Sequence, residues 1–391
     1  MNDSSRGNKN DRIELIDALR GYALMGLFLV HMMEYFELYW FPPPAKTEAV
    51  TSLVFALFGG KAYAMFAMLF GVSFYIILQR NANRGTDFRA RFLWRVIILL
   101  LIGYLHGLMY SGDVLQILAV AGMVLLPLWV VPQSIVWAIS GLLLLQITSY
   151  AFVAWMGNSD IPYSHPFFDQ IQTIVYPNYA HGSFAQVLAA NAVGGTEGKW
   201  SFMLESGRFT TVLGMSMLGF CLARINFFTD TARFGKRYLP LLVMVIAAAL
   251  VCAFSSHVFI SIAHPEKMDD AWMGIPEMYT NTLFALASVL AFMLLYQIEA
   301  IRKVLRLLAA PGRMTLSFYV GQSLLLVPFF YHFGGNAYTW IGQSWSLTLG
   351  IVLWILQVML AQWWAKRYYY GPLEWCWRAA TYGTTTIPFK K

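Results

Sequence analysis

Apolar residues in this chain come in runs close to the ~17–25 residues that a bilayer's hydrocarbon core asks of a helix, with short polar stretches between them. Ten runs are read, at 14–36, 61–79, 92–110, 114–131, 134–156, 207–224, 239–262, 278–299, 314–331 and 343–364. The pattern predicts an all-α fold: a polytopic membrane helical bundle of about ten transmembrane helices. Two stretches fit less simply. Residues 41–60 open with three prolines and close on Gly-Gly, and either lie at a membrane interface or start the second span early. Residues 157–206 form a long outer loop in which "SFAQVLAANA" has helical spacing and reads as a short amphipathic helix on the membrane surface.

The first run, "IDALRGYALMGLFLVH", carries charges that lipid disfavours by ~2.5–3.5 kcal/mol each, so they are expected to face the bundle or water. At about 100° per residue, Asp17, Arg20, His31 and Glu34 share one sector of the helix, and Gly26 falls opposite, toward lipid. Asp17 and Arg20 mark one end; His31 and Glu34 lie about 20 Å higher by helical rise. Antiparallel runs return other polar residues to that upper level. Lys61 opens the second run, and His106 closes the third before a turn at Ser111–Gly112. Asp113 follows as a helix N-cap, Gln116 comes back to the depth of His106, and Arg208 stands at the mouth of the sixth run.

Charge then orients the bundle. With the N-terminus inside, the inner segments hold most of the Lys and Arg, including Arg80, Arg84, Arg224, Arg237, Arg302, Arg313 and Lys366. The outer loops hold only Lys46, Lys199 and Lys267. The positive-inside rule therefore predicts both termini in the cytoplasm: a tail over 1–13, a ten-span domain over 14–364 with outer loop 157–206, and an interfacial tail over 365–391. Composition agrees, with 58% hydrophobic and 12% charged residues against about a quarter charged in soluble proteins. The net charge of +7 is accounted for by topology and anionic lipid, so no nucleic-acid partner is implied. Three scattered cysteines and histidines without ligand-like spacing suggest no metal site.

Each polar residue also has a plain structural reading. Lys61 and Arg208 can snorkel to headgroups, Asp113 can simply cap, and Asp17 can pair with Arg20. Gln322 serves either as interhelical glue or as a substrate contact. Glu374 and Arg378, four apart in the tail, suit a stabilising helical pair. Two imidazoles at one depth beside Glu34 and Asp113 suit general acid–base chemistry instead.

The stretches "RIELIDALRGYALMGLFLVH", "GGKAYAMFAMLFGVSFY", "GYLHGLMYSGDVLQ", "APGRMTLSFYVGQS" and "YYYGPLEWCWRAATYG" resemble, in this order, the YeiB family of bacterial inner-membrane proteins, over Arg12 to Gly383. The first-helix pattern Arg12, Asp17, Arg20, His31 and the "GDVLQ" stretch are more distantly similar to membrane acyltransferases of the heparan-alpha-glucosaminide N-acetyltransferase type. The family pattern has Asn where this chain has His31. The resemblance implies a multi-pass inner-membrane protein that acylates an envelope glycan on the outer face from a cytosolic acyl-CoA, with no tightly bound cofactor. On that reading His31, Glu34, His106 and Asp113 are catalytic, Arg20, Lys61, Gln116, Arg208 and Gln322 bind substrates, and Asp17, Glu374 and Arg378 are structural. A transporter and a non-enzymatic scaffold or sensor are the competing classes; oligomeric state is left open.

Overall fold

A computed structural model describes residues 4–41, 47–149, 151, 171–262 and 269–391. The protein is 80% helical, with no strand among the described residues, so the all-α expectation holds. A helix stands at each of the ten expected places. These are α1 (Ser4–Met33), α3 (Ala62–Ala82), α4 (Arg89–Gly107), α5 (Leu115–Leu128), α6 (Gln133–Leu144), α7 (Arg208–Arg224), α8 (Thr231–Ile262), α9 (Asp269–Leu295), α10 (Thr315–Phe330) and α11 (Gln343–Arg367). A short helix, α2 (Ala49–Leu57), precedes α3, and α12 (Pro372–Tyr382) forms the tail. Among the described residues, six segments are long and apolar enough to cross a membrane, counting α2 and α3 as one (Ala49–Ala82); α5, α6 and α10 are apolar but shorter.

Residues 42–46 of the 41–60 stretch lie outside the described residues; from Ala49 the chain belongs to the second apolar segment, and a break at Phe58–Lys61, with Gly60 at φ 68°, separates α2 from α3. Part of the outer loop is also structured. It holds Tyr176–His181, Phe184–Ala190 and Thr196–Glu205 as helices, and Ser183 and Gln186 close a capping box on the second.

Helix α1 is the axis of the bundle: 78% of its apolar window is buried, against 11% for α8. That corrects one expectation. Gly26 does not face lipid; it packs on Phe58, whose ring would stand 2.5 Å from a Cβ placed there. The charges show which side of α1 is polar, but neighbours cover both sides. Elsewhere, α3 and α7 cross at backbone contact. A Cβ on Gly71 would lie 1.8 Å from the Ser216 carbonyl, and one on Gly219 would lie 1.9 Å from that of Met68. Small residues at such crossings let helices gain dispersion contacts where lipid offers no hydrophobic drive.

The lower end of α1 is a charge cluster. Arg20 donates to Asp17 at 2.7 Å and to Ser73 Oγ at 2.6 Å, and Arg313 reaches Asp17 at 3.2 Å. Arg306 pairs with Glu14. In the tail, the expected Glu374–Arg378 pair gives way to other partners. Glu374 accepts from the backbone N–H groups of Leu316 (2.7 Å) and Ser317 (3.0 Å) and from Ser317 Oγ (2.5 Å). Those N–H groups open α10 and have no partner within it, so a carboxylate is drawn to them. Arg378 lies instead over the rings of Tyr370 and Tyr382. Trp377 donates to the Arg95 carbonyl on α4 while Trp375 turns to Ile387, so the tail is docked on the bundle.

Candidate functional site

The upper end is built around the α4–α5 turn. His106 ends α4, and its Nδ1 lies 2.7 Å from Asp113 Oδ1 across that turn; both side chains are almost fully buried. Asp113 Oδ2 accepts from the Gln116 backbone N–H at 3.1 Å, which fixes the carboxylate; the N-cap position itself falls on Val114, one residue after the expected Asp113. A carboxylate accepts only, so His106 Nδ1 carries a proton toward Asp113, and in the neutral tautomer that this contact selects Nε2 is the acceptor nitrogen. That Nε2 is buried and has no hydrogen-bond partner.

His31, at the top of α1, is the second imidazole. Its Nδ1 is 2.8 Å from the Tyr110 hydroxyl and 3.8 Å from Glu34 Oε2, and its Nε2 is likewise buried and unpartnered. The two histidines share ring neighbours. Tyr319 lies 5.2 Å from His106 and 6.4 Å from His31, and Tyr110 lies 6.2 Å and 5.2 Å away, centroid to centroid. Tyr319 is itself fixed, its hydroxyl accepting from the Val114 N–H at 3.1 Å.

A second polar layer closes over the turn. Tyr35, Phe36 and Glu37 have φ of 48°, 53° and 84°, a left-handed run that non-glycine residues adopt at a cost of about 1–2 kcal/mol each. It swings Glu37 back over Ser111, whose Oγ donates to Glu37 Oε2 at 2.8 Å. The Tyr179 hydroxyl, from the 157–206 stretch, accepts from the Ser111 N–H (3.1 Å) and shares its one proton between Ser111 Oγ (2.8 Å) and Asn191 Oδ1 (2.7 Å). Burial pushes the Glu37 carboxyl up to about 7, aided by Glu34 and opposed by Ser111, Lys199 and Arg208.

The other expected site residues divide. Gln116 is in place, donating to the Gly103 carbonyl at 3.1 Å. Arg208 lies over Phe202 (4.6 Å) and Tyr63 (5.6 Å) and within electrostatic range of Glu37. Lys61 is turned away: its ammonium donates to the carbonyls of Phe55 (3.1 Å) and Gly59 (2.9 Å) and ties the α2–α3 break together. Gln322 also stands apart from the histidines. It donates to Gln357 at 2.8 Å in the wall of a mainly apolar cavity of about 390 Å³ between α10 and α11. Arg20 is engaged by Asp17 and Ser73 at the far end. Glu37, Tyr110, Tyr319 and Lys199 are the participants that the sequence pattern does not single out. Among the described residues no group of three or more metal-ligating side chains gathers.

Two family models match different parts of the chain. A family model for the catalytic part of heparan-alpha-glucosaminide N-acetyltransferase matches residues 12–169, which hold both histidines, Glu34, Asp113 and Gln116. A model described as "Protein of unknown function (DUF418)" matches residues 222–384. The Escherichia coli (strain K12) "Uncharacterized protein YeiB" is 24% identical, covering 95% of this chain and 96% of its own. The chain is thus similar to that protein along nearly its whole length. "Uncharacterized protein YxaH" of Bacillus subtilis is also 24% identical, over 95% of each chain. So is an "Uncharacterized 39.9 kDa protein in amylase 3'region" of Bacillus acidopullulyticus, over 95% of this chain and 94% of that one. The chain is therefore a helical protein with helices long and apolar enough to cross a membrane, and its first part is similar to an acetyltransferase catalytic region.

Proposed function

We propose that this YeiB-like protein is a multi-pass inner-membrane acyltransferase, with ten spans, both termini cytoplasmic and the histidine end on the outer face. The observation that carries the reading is the buried His106–Asp113 pair, with an oriented imidazole whose Nε2 is free. Such a pair suits general-base catalysis. His106 Nε2 takes the proton of an acceptor hydroxyl or amine as that group attacks the thioester carbonyl. The tetrahedral oxyanion collapses, the carbon–sulfur bond breaks, and the imidazolium returns the proton to the leaving thiolate. His31, beside the same two tyrosines, is placed to hold the developing oxyanion or the acceptor. Acyl-CoA is the donor proposed, and an envelope glycan or related molecule the acceptor. The cytosolic entry assigned to Arg20 requires its guanidinium to exchange Asp17 or Ser73 for a phosphate.

The test compares envelope glycans of a deletion strain with those of strains carrying the wild-type gene, His106→Asn or His31→Asn. The expected result is an acyl group lost on deletion and restored by the wild type. His106→Asn should restore ~10²–10⁴-fold less acylation at equal protein abundance. His31→Asn should keep part of the activity, since the family pattern carries Asn there. An envelope unchanged by the deletion removes the acyl-transfer reading.

A further inference from the structure

Lys199 lies in the outer loop, in the helix Thr196–Glu205, between the two segments matched by family models. It is nonetheless inside the protein, only 7% exposed. A Cβ placed on Gly107 would stand 3.7 Å from its ammonium, 2.9 Å from Gln116 Nε2 and 4.0 Å from Asp113 Cβ, so these three side chains meet over one glycine. The two acids in electrostatic range are both occupied. Asp113 is taken by His106 and the Gln116 N–H, and Glu37 by Ser111. Among the described residues Lys199 makes no hydrogen bond. Arg208, the second cation facing Glu37, has a buried Nε without a partner. Burial accordingly lowers the Lys199 pKa.

A buried ammonium without a direct counter-ion is strongly unfavourable unless something anionic arrives to pair with it. We propose that Lys199, with Arg208 behind it, forms a subsite for an oxyanion, a carboxylate or phosphate group borne by the acceptor, next to His106. This rests on the acyl-transfer reading and narrows its acceptor to an anionic one. The side chain beside the ammonium there is the neutral Gln116 amide, and Lys199 can give three N–H donors to the anion.

The experiment measures binding without turnover. Wild-type protein in phosphatidylcholine nanodiscs is titrated with glucuronate, inorganic phosphate and glucose, following its thermal unfolding. Glucuronate or phosphate should raise the melting temperature in a salt-sensitive way, and glucose should not. Lys199→Met should weaken anion binding by about tenfold or more while leaving the ligand-free melting temperature unchanged or higher. Lys199→Arg should retain binding. Repeating the titration with phosphatidylglycerol in the disc separates sources: competition by this lipid assigns the anion to a headgroup, and its absence assigns it to a soluble acceptor. Anion binding that persists in Lys199→Met overturns the proposal. So does a Lys199→Met protein that melts markedly lower, which would make Lys199 a structural ion pair. His106→Asn separates the two readings, because it should keep anion binding even where acylation is lost.

Discussion

Glu37 brings titration into the site near neutrality. Its carboxyl ionises near 4.5 in an unfolded chain and at about 7 in the folded one. Between those values the folded protein holds a proton that the unfolded chain has released. Stability therefore falls as pH rises through that window and levels off above it. Glu34, Lys199, Arg208 and Ser111 are the charged and polar groups facing it. Glu37→Gln keeps an acceptor for Ser111 and removes the titration. Between pH 5 and pH 8 the wild type should lose several degrees of melting temperature relative to this variant; parallel curves would show Glu37 ionised throughout. His106 and Asp113 were legible in the sequence because seven residues across one tight turn fix their meeting locally. Glu37 was not, since three left-handed residues aim it. Neither was Lys199, which reaches the dyad only through the fold of the outer loop.

At the scale of elements, the ten helices were legible from apolar runs, but what surrounds each one was not. The periodicity of Asp17, Arg20 and His31 located a polar side on α1 and said nothing of the helices covering Gly26. The tail shows the same limit. Four-residue spacing made Glu374 and Arg378 plausible partners, yet the start of α10 offers Glu374 two backbone N–H groups, while the half-buried Arg378 guanidinium is taken by tyrosine rings. Glu374 therefore acts as a cap delivered from another helix. Glu374→Ala should cost about 1–2 kcal/mol, as the loss of a good N-cap does, and thermal unfolding in detergent measures it. Arg378→Ala, which removes only contacts with tyrosine rings, should cost less. Equal losses would restore the Glu374–Arg378 pair.

Across the whole molecule, ion pairs at the lower end join the beginning of the chain to its last third. Glu14 and Asp17 find Arg306 and Arg313, whereas Arg20 has an early partner beyond its own helix, Ser73. A ribosome delivers α1 first, so for most of synthesis the central helix waits with Glu14 lacking Arg306 and with Asp17 held by Arg20 alone, at a depth where charge is costly. The half-made protein is thus a recognisable object to the cell's quality control. A chain ending at residue 300 lacks both arginines, and pulse-chase labelling should find it cleared faster than the full-length protein. Combining Glu14→Gln with Asp17→Asn should slow that clearance while giving the complete chain no such advantage. If the shortened chain persists as long as the whole one, some other component of the membrane shelters α1 until its partners are made.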